Sequence, residues 1–263
     1  LTISGNGNMK NYNDYDNYAL MLPEDRYSVN SMSVTLKAGN KDPYALFPIH
    51  VDVNGLIPEE EYILPLSIIS VSDYMIASER KDVLLKIFMK NEYATTKSRI
   101  YYNMIGTIQK EVDNNGILEP EGGESPMNST KLVTPISKYG IRVLPGTVQS
   151  DPGASQQSLR LRSVVATVNP DEWIDIPVIS DEGEVTGEFI KCQKVTVAPW
   201  FETNQAVRVK NMDDKPSYYN PEKREFTLRY HYRIASIDGQ SNNKDVWHEV
   251  KETMTPMDIT NKD

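Results

Sequence analysis

Cysteine is nearly missing from this chain: Cys192 is the only one in 263 residues, so no disulfide can close within it. Its setting, EFIKCQKVTV, reads as an ordinary strand position rather than the electropositive surroundings that activate a thiol. Long apolar runs are lacking as well, and none approaches the roughly 18 residues that a membrane-crossing helix needs. The opening stretch LTISGNGNMKNYNDYDNY has no charged start followed by an apolar signal core. Residues 1–18 read instead as a flexible polar leader, a tether or the trimmed front of a secreted precursor. Positive charge is in short supply, with 28 Lys and Arg against 37 Asp and Glu and a formal charge of -9, which disfavours the broad phosphate contacts that hold nucleic acid. Histidine is scarce too. His50, His231 and His248 lack the close spacing of a metal site, so neither metal nor cofactor is expected.

What the chain has in quantity is alternation with a period of two. Residues 226–233, FTLRYHYR, place Phe226, Leu228, Tyr230 and Tyr232 on one face, with Thr227, Arg229, His231 and Arg233 on the other, as a pleated strand does. Residues 31–37 alternate in the same way, and so do residues 47–53, which end at the turn signal Asn54-Gly55. Residues 62–71 are apolar on both faces and are expected to be covered on both. Pro65 within them cannot donate to a ladder and marks an edge or a bulge. Residues 83–90 read as a strand, with a helix over 76–90 as the alternative.

The polar stretch 91–97, NEYATTK, separates two differently patterned blocks and is the natural joint. It divides an N-terminal domain, residues 1–97, from a C-terminal domain, residues 98–263. Candidate strands in the second block lie near 100–111, 131–136, 140–145, 159–168, 173–179, 187–198, 206–210, 225–234 and 246–254. Such short, regular spacing suits an all-β meander, barrel or sandwich, rather than a helix-crossed parallel sheet. Gly106, inside a strand pattern, marks a sharp bend or a close backbone approach. Residues 113–130, crowded with Gly, Pro, Asn and Glu, read as an exposed, mobile loop. Asp238-Gly239 is the turn signal of a final hairpin.

Catalytic constellations are not evident. The acidic pairs Asp181-Glu182 and Asp213-Asp214 could supply two carboxylates, but they lie in turn sequences where charge is ordinarily solvated. Gly5-Asn6-Gly7 has neither a strand before it nor a helix after it, so it is no phosphate loop. His231 and His248 could approach each other across the final hairpin. Aromatics in turn-rich places hold more interest: Trp200 and Phe201 follow Pro199, and Tyr218 and Tyr219 precede Asn220-Pro221. Sugar rings stack their apolar faces on such side chains while neighbours such as Glu202, Asn204 and Gln205 bond the hydroxyls, so these four aromatics form a candidate carbohydrate platform. The structural alternative for each is the cap of a hydrophobic core.

Two segments in order carry a family resemblance. The run RYSVNSMSVTLKAGN followed by PIHVDVNGLIPEEEYILPLSI resembles the DUF1735 domain, the BT_3987-like N-terminal domain. The run YYNPEKREFTLRYHYR, then WHEVKETM, resembles its companion DUF4361, the BT_3044-like C-terminal domain. The resemblance implies an immunoglobulin-like β-sandwich followed by a small lipocalin-like β-barrel, with a second sandwich as the alternative to the barrel. It also implies a non-catalytic, glycan-binding outer-membrane lipoprotein of Bacteroidetes, facing the surface or periplasm and encoded with polysaccharide-uptake machinery. Its expected partner is an oligo- or polysaccharide, with membrane contact only through a lipid anchor whose cysteine this chain lacks. The alternatives are an interaction subunit of an outer-membrane glycan transporter with no sugar site of its own, and then a glycoside hydrolase-related enzyme. No catalytic residue is carried over.

Overall fold

In the computed structural model the described residues are 2–4, 18–37, 39, 41, 44–149, 154–180, 182–201, 206–234 and 246–257. Strand makes up 56% and helix 4%, which is the expected all-β composition. The chain divides into two compact units, Leu1–Met89 and Lys90–Asp263.

The N-terminal unit contains two small sheets. One has β5 (Tyr62–Ser70) at its centre, with β1 (Thr2–Ser4), β2 (Leu20–Met21) and β6 (Asp82–Ile87) around it. The other pairs β3 (Tyr27–Val29) with β4 (Ile49–Val51). Leu22, Leu56, Tyr62, Leu64 and Met89 form the buried cluster of this unit, joined by half-buried Tyr27, Val51 and Leu85. β6 is a strand over residues 82–87, so the helix alternative for 76–90 falls away. Pro65 behaves as its chemistry requires. On one side of β5 the ladder to β6 is continuous; on the other, pairing with β2 stops at Ile63 and pairing with β1 starts at Ser67. Ile68 donates to Lys81 O toward β6, so the odd-numbered residues face the other side and the Pro65 nitrogen falls in that gap.

Residues 31–37 depart from expectation. Ser33 alone forms a bridge there, and the stretch is largely exposed. Alternation specifies which side chains share a face but does not supply a partner strand, and among the described residues no strand pairs along this stretch.

The C-terminal unit is built from β7 (Ile100–Asn114), β8 (Ile117–Pro120), β9 (Ser125–Pro135), β10 (Gly140–Val143), α1 (Gln156–Arg162), β11 (Val164–Ile179), β12 (Val185–Pro199), β13 (Val207–Asn211), β14 (Ser217–Asn220), β15 (Glu225–Ile234) and β16 (Val246–Pro256). Antiparallel pairing runs β7–β9–β10–β11–β12–β14–β15–β16, and β16 pairs in turn with β7. The ladder therefore returns on itself as an up-and-down ring. β13 and β14 occupy one position in that ring. Both pair antiparallel with β15, β13 against residues 230–234 and β14 against residues 225–227. Two side chains stand in for ladder bonds where this strand is interrupted. Asn211 bonds both the N–H and the carbonyl of Val197, each at 2.9 Å, and Ser217 Oγ accepts from Arg229 N at 2.8 Å and donates to its carbonyl at 3.1 Å.

Inside the ring lie Phe226, Leu228 and Tyr230 at 0% exposure and Tyr232 at 4%, the face expected of FTLRYHYR. Tyr93, Tyr102 and Tyr219 pack edge-on or tilted around Phe226 at centroid distances of 5.2, 6.2 and 4.7 Å. Gly106 is required by close approach: a Cβ there would come within 2.0 Å of the Lys251 carbonyl oxygen on β16.

Two further expectations are corrected. Residues 113–130 are mainly strand: Asn115 and Gly116, both with positive φ, make the tight turn between β7 and β8, and β9 begins at Ser125. Residues 159–162 are helical. Ser155 caps α1 by accepting from Ser158 N at 3.2 Å, so a local cap outweighs the alternation of LRLR. The turn expected at Asp238-Gly239 lies outside the described residues, as do Gly5-Asn6-Gly7 and Asp181.

Candidate functional site at one end of the strand ring

β10 ends, β11 begins, β12 ends, β15 ends and β16 begins at one end of the ring, because Val143 pairs with Val164, Val164 with Pro199, and Val246 with Val112. A cavity of about 340 Å³ opens there. Its wall is apolar at Ile108, Val148 and Ile234 and aromatic at Tyr232, whose ring stacks on His248 at 5.2 Å and 21°. Thr147, Gln149 and Arg162 supply polar groups. The loop carrying residues 147–149 is set by a turn in which Val148 N donates to Pro145 O at 3.0 Å. Gly146 within it has φ +52, and a Cβ there would sit 3.0 Å from the Tyr232 hydroxyl. Glycine thus lets this loop close down on Tyr232. Arg162 arrives from the last turn of α1, and its buried Nε has no hydrogen-bond partner among the described residues.

The four aromatics singled out from sequence do not form one surface. Trp200 and Phe201 are half-buried neighbours, 5.2 Å apart at 56°. Arg142 lies over the Trp200 ring at 4.3 Å and Arg160 over Phe201 at 4.6 Å, cation–π contacts that already occupy one face of each. Trp200 N donates to Ser163 O at 3.2 Å, beside Arg162. Tyr218 pairs with Lys194, six positions before Trp200 on the β12 side, or ~20 Å along a strand. It is half-buried under Arg229, 5.8 Å from its ring. Tyr219 is buried at 1% in the core, its ring 4.9 Å from Tyr93, so it presents nothing to a ligand. Glu202, Asn204 and Gln205 lie outside the described residues.

His231 and His248 are on opposite faces. His231 points outward with Nδ1 2.7 Å from Glu111 Oε2, while His248 lines the cavity. Asp213 and Asp214 are exposed, and among the described residues no cluster of His, Cys, Asp and Glu is arranged to hold a metal. Burial raises the Cys192 thiol above its ordinary value, the opposite of activation.

Deeper in the ring is a charged group that strand pattern did not announce. Lys131 Nζ donates to Glu252 Oε2 at 2.5 Å and to Leu144 O at 2.9 Å, and the Tyr230 hydroxyl donates to Glu252 Oε1 at 3.2 Å. Glu252 and Lys131 are 1% and 5% exposed. Burial holds the Glu252 carboxyl above the usual carboxylate range and the Lys131 ammonium below its own, with their mutual attraction opposing both. Sequence offered one sign of this: Glu252 and Lys131 fall on the inward parity of their strands, where an apolar residue belongs.

One family model, for a C-terminal domain, matches residues 81–255, and a second, for an N-terminal domain, matches residues 3–75. No curated protein matches the chain. Among solved structures, the chain is similar to an auxiliary nutrient binding protein from Bacteroides thetaiotaomicron, with 15% identity, coverage of 97% of this chain and 78% of the other, and a TM-score of 0.48. A multidomain protein including DUF1735 from Bacteroides ovatus is similar over the same shares at 13% identity and a TM-score of 0.48. No helix among the described residues is long and apolar enough to cross a membrane. With family models matching both units, the chain belongs to the family of two-domain proteins that join a DUF1735 N-terminal domain to its DUF4361 companion.

Proposed function

We propose that this chain is a non-catalytic, glycan-binding lipoprotein of the cell envelope serving polysaccharide uptake, and that its C-terminal ring receives one end of an oligosaccharide. The observation that carries this reading is the cavity at the end of the ring, where an apolar and aromatic wall meets Thr147, Gln149 and Arg162. Its volume of about 340 Å³ falls in the range of small-molecule sites, and sugar recognition needs this mixture of flat apolar surface and a few directed polar groups. Trp200 and Phe201 would guide the remainder of the glycan past the rim, and Tyr218 would contact a longer chain on the outer wall. Tyr219 has no part in it. Calorimetric screening of plant and host oligosaccharides should find a ligand whose binding is abolished by Val148→Trp, which fills the cavity, and weakened by Trp200→Ala. Undiminished binding in Val148→Trp would move the site elsewhere.

A second reading, an interaction subunit of an outer-membrane transporter, is favoured by the distal β11–β12 hairpin. There Trp173, Ile179, Val185 and Phe189 are 49%, 53%, 63% and 61% exposed, more apolar surface than a solvated arm calls for. Pull-down of a transporter without glycan, lost in Trp173→Glu with Phe189→Glu, would establish it.

A further inference from the structure

We infer that the ligand of the cavity is anionic, with a carboxylate or sulfate of an acidic sugar seated on Arg162; this rests on reading the cavity as a glycan site. Of the other guanidinium groups carried to this end, Arg142 lies on Trp200 and Arg160 on Phe201. Arg162 differs in lining the cavity; its buried Nε, like that of Arg160, lacks a hydrogen-bond partner among the described residues, and no carboxylate among them pairs with Arg162. A buried guanidinium N–H without an acceptor is unfavourable until one arrives, and the planar fork matches the two oxygens of a carboxylate or sulfate. The described lining has no acidic residue, so its fixed charge is positive, while Thr147 and Gln149 can donate to remaining oxygens. The chain as a whole carries a formal charge of -9, which opposes anions elsewhere on the surface.

The test is calorimetry on the whole chain with matched probes: an oligogalacturonide and its methyl ester, a sulfated glycosaminoglycan fragment and its desulfated form, and inorganic sulfate alone. The acidic member of a pair is expected to bind about tenfold or more tightly, the worth of one charge-assisted contact. Added salt should weaken that member only, and Arg162→Gln should erase the difference while melting as a folded protein. Arg162→Lys, which keeps the charge without the fork, should recover part of it. Equal binding of acidic and neutral members, or unchanged binding in Arg162→Gln, would overturn the inference and leave the glycan reading standing. Sulfate binding through Arg162 with no oligosaccharide bound would overturn the glycan reading and, with it, the acidic sugar inferred here. Binding of none of the probes would overturn both.

Discussion

Among the described residues, the buried cluster of the N-terminal unit is five residues between two small sheets, whereas that of the C-terminal unit gathers twenty-two inside a ring of strands. The described strands of the first run from two to nine residues, and those of the second reach 15 and 16. A ring leaves few unpaired edges, so its interior can be dry enough to make a charge expensive and a cavity well defined. Two small sheets leave more apolar surface outside; Tyr74 and Met75 are 87% and 97% exposed. The proposed ligand site lies in the ring, where walls are rigid and polar groups can be placed against a sealed background.

Four measurements can break or sharpen this contrast. The largest effect is expected inside the ring. Glu252→Leu leaves Lys131 buried without its partner and should cost about 3–5 kcal/mol in denaturant unfolding, while the double variant with Lys131→Met should recover most of that. A cost of only about 1 kcal/mol would mean that water reaches the pair. Next comes Leu64→Ala in the N-terminal unit, expected at about 2–3 kcal/mol, because half-buried neighbours such as Leu66 can close part of the void.

Alkaline titration should separate the tyrosines without any substitution. Burial pushes Tyr219 up to about 12 and raises Tyr93, Tyr102 and Tyr230 beyond the ordinary value. These folded-state values exceed the unfolded ~10, so the stability they contribute is present below that pH. It is lost as pH rises from there through about 12. Ultraviolet difference titration of the 15 tyrosines should show a late group ionising together with unfolding. A single early step in a protein that stays folded would show an open interior. The smallest effect belongs to the N-terminal surface: Lys86→Ala, which removes a half-exposed pair with Glu61, should change stability by less than ~1 kcal/mol.

Strand character was legible wherever period two met a partner. FTLRYHYR buries the face its alternation assigns, Pro65 falls at an interrupted edge, and Gly106 sits where another backbone crosses closely. Residues 31–37 show the limit of the same rule, since a face is encoded locally and a partner is not. The helix at residues 156–162 has one local signal, the capping residue Ser155, and it competes with the alternation that follows. The cavity was not legible, because Ile108, Val148, Arg162, Tyr232 and His248 come from five separate segments and no spacing along the chain joins them. Tyr219 misled for a related reason. The turn signal of Asn220-Pro221 suggested exposure, yet pairing of Gln193 with Tyr219 turns that ring inward.

The interrupted strand β13–β14 has a consequence for how such a wall can vary. Asn211 and Ser217 clamp the neighbouring backbones on either side of residues 212–216, so the register of β12 and β15 is fixed independently of what lies between the clamps. That short segment is a place where residues can be added or removed while the strands flanking it keep their alignment, much as a hem can be let out without recutting the cloth. A peptide inserted after Asp214, which is exposed, would leave the ring intact, whereas losing either clamp would unpick the wall at the same seam.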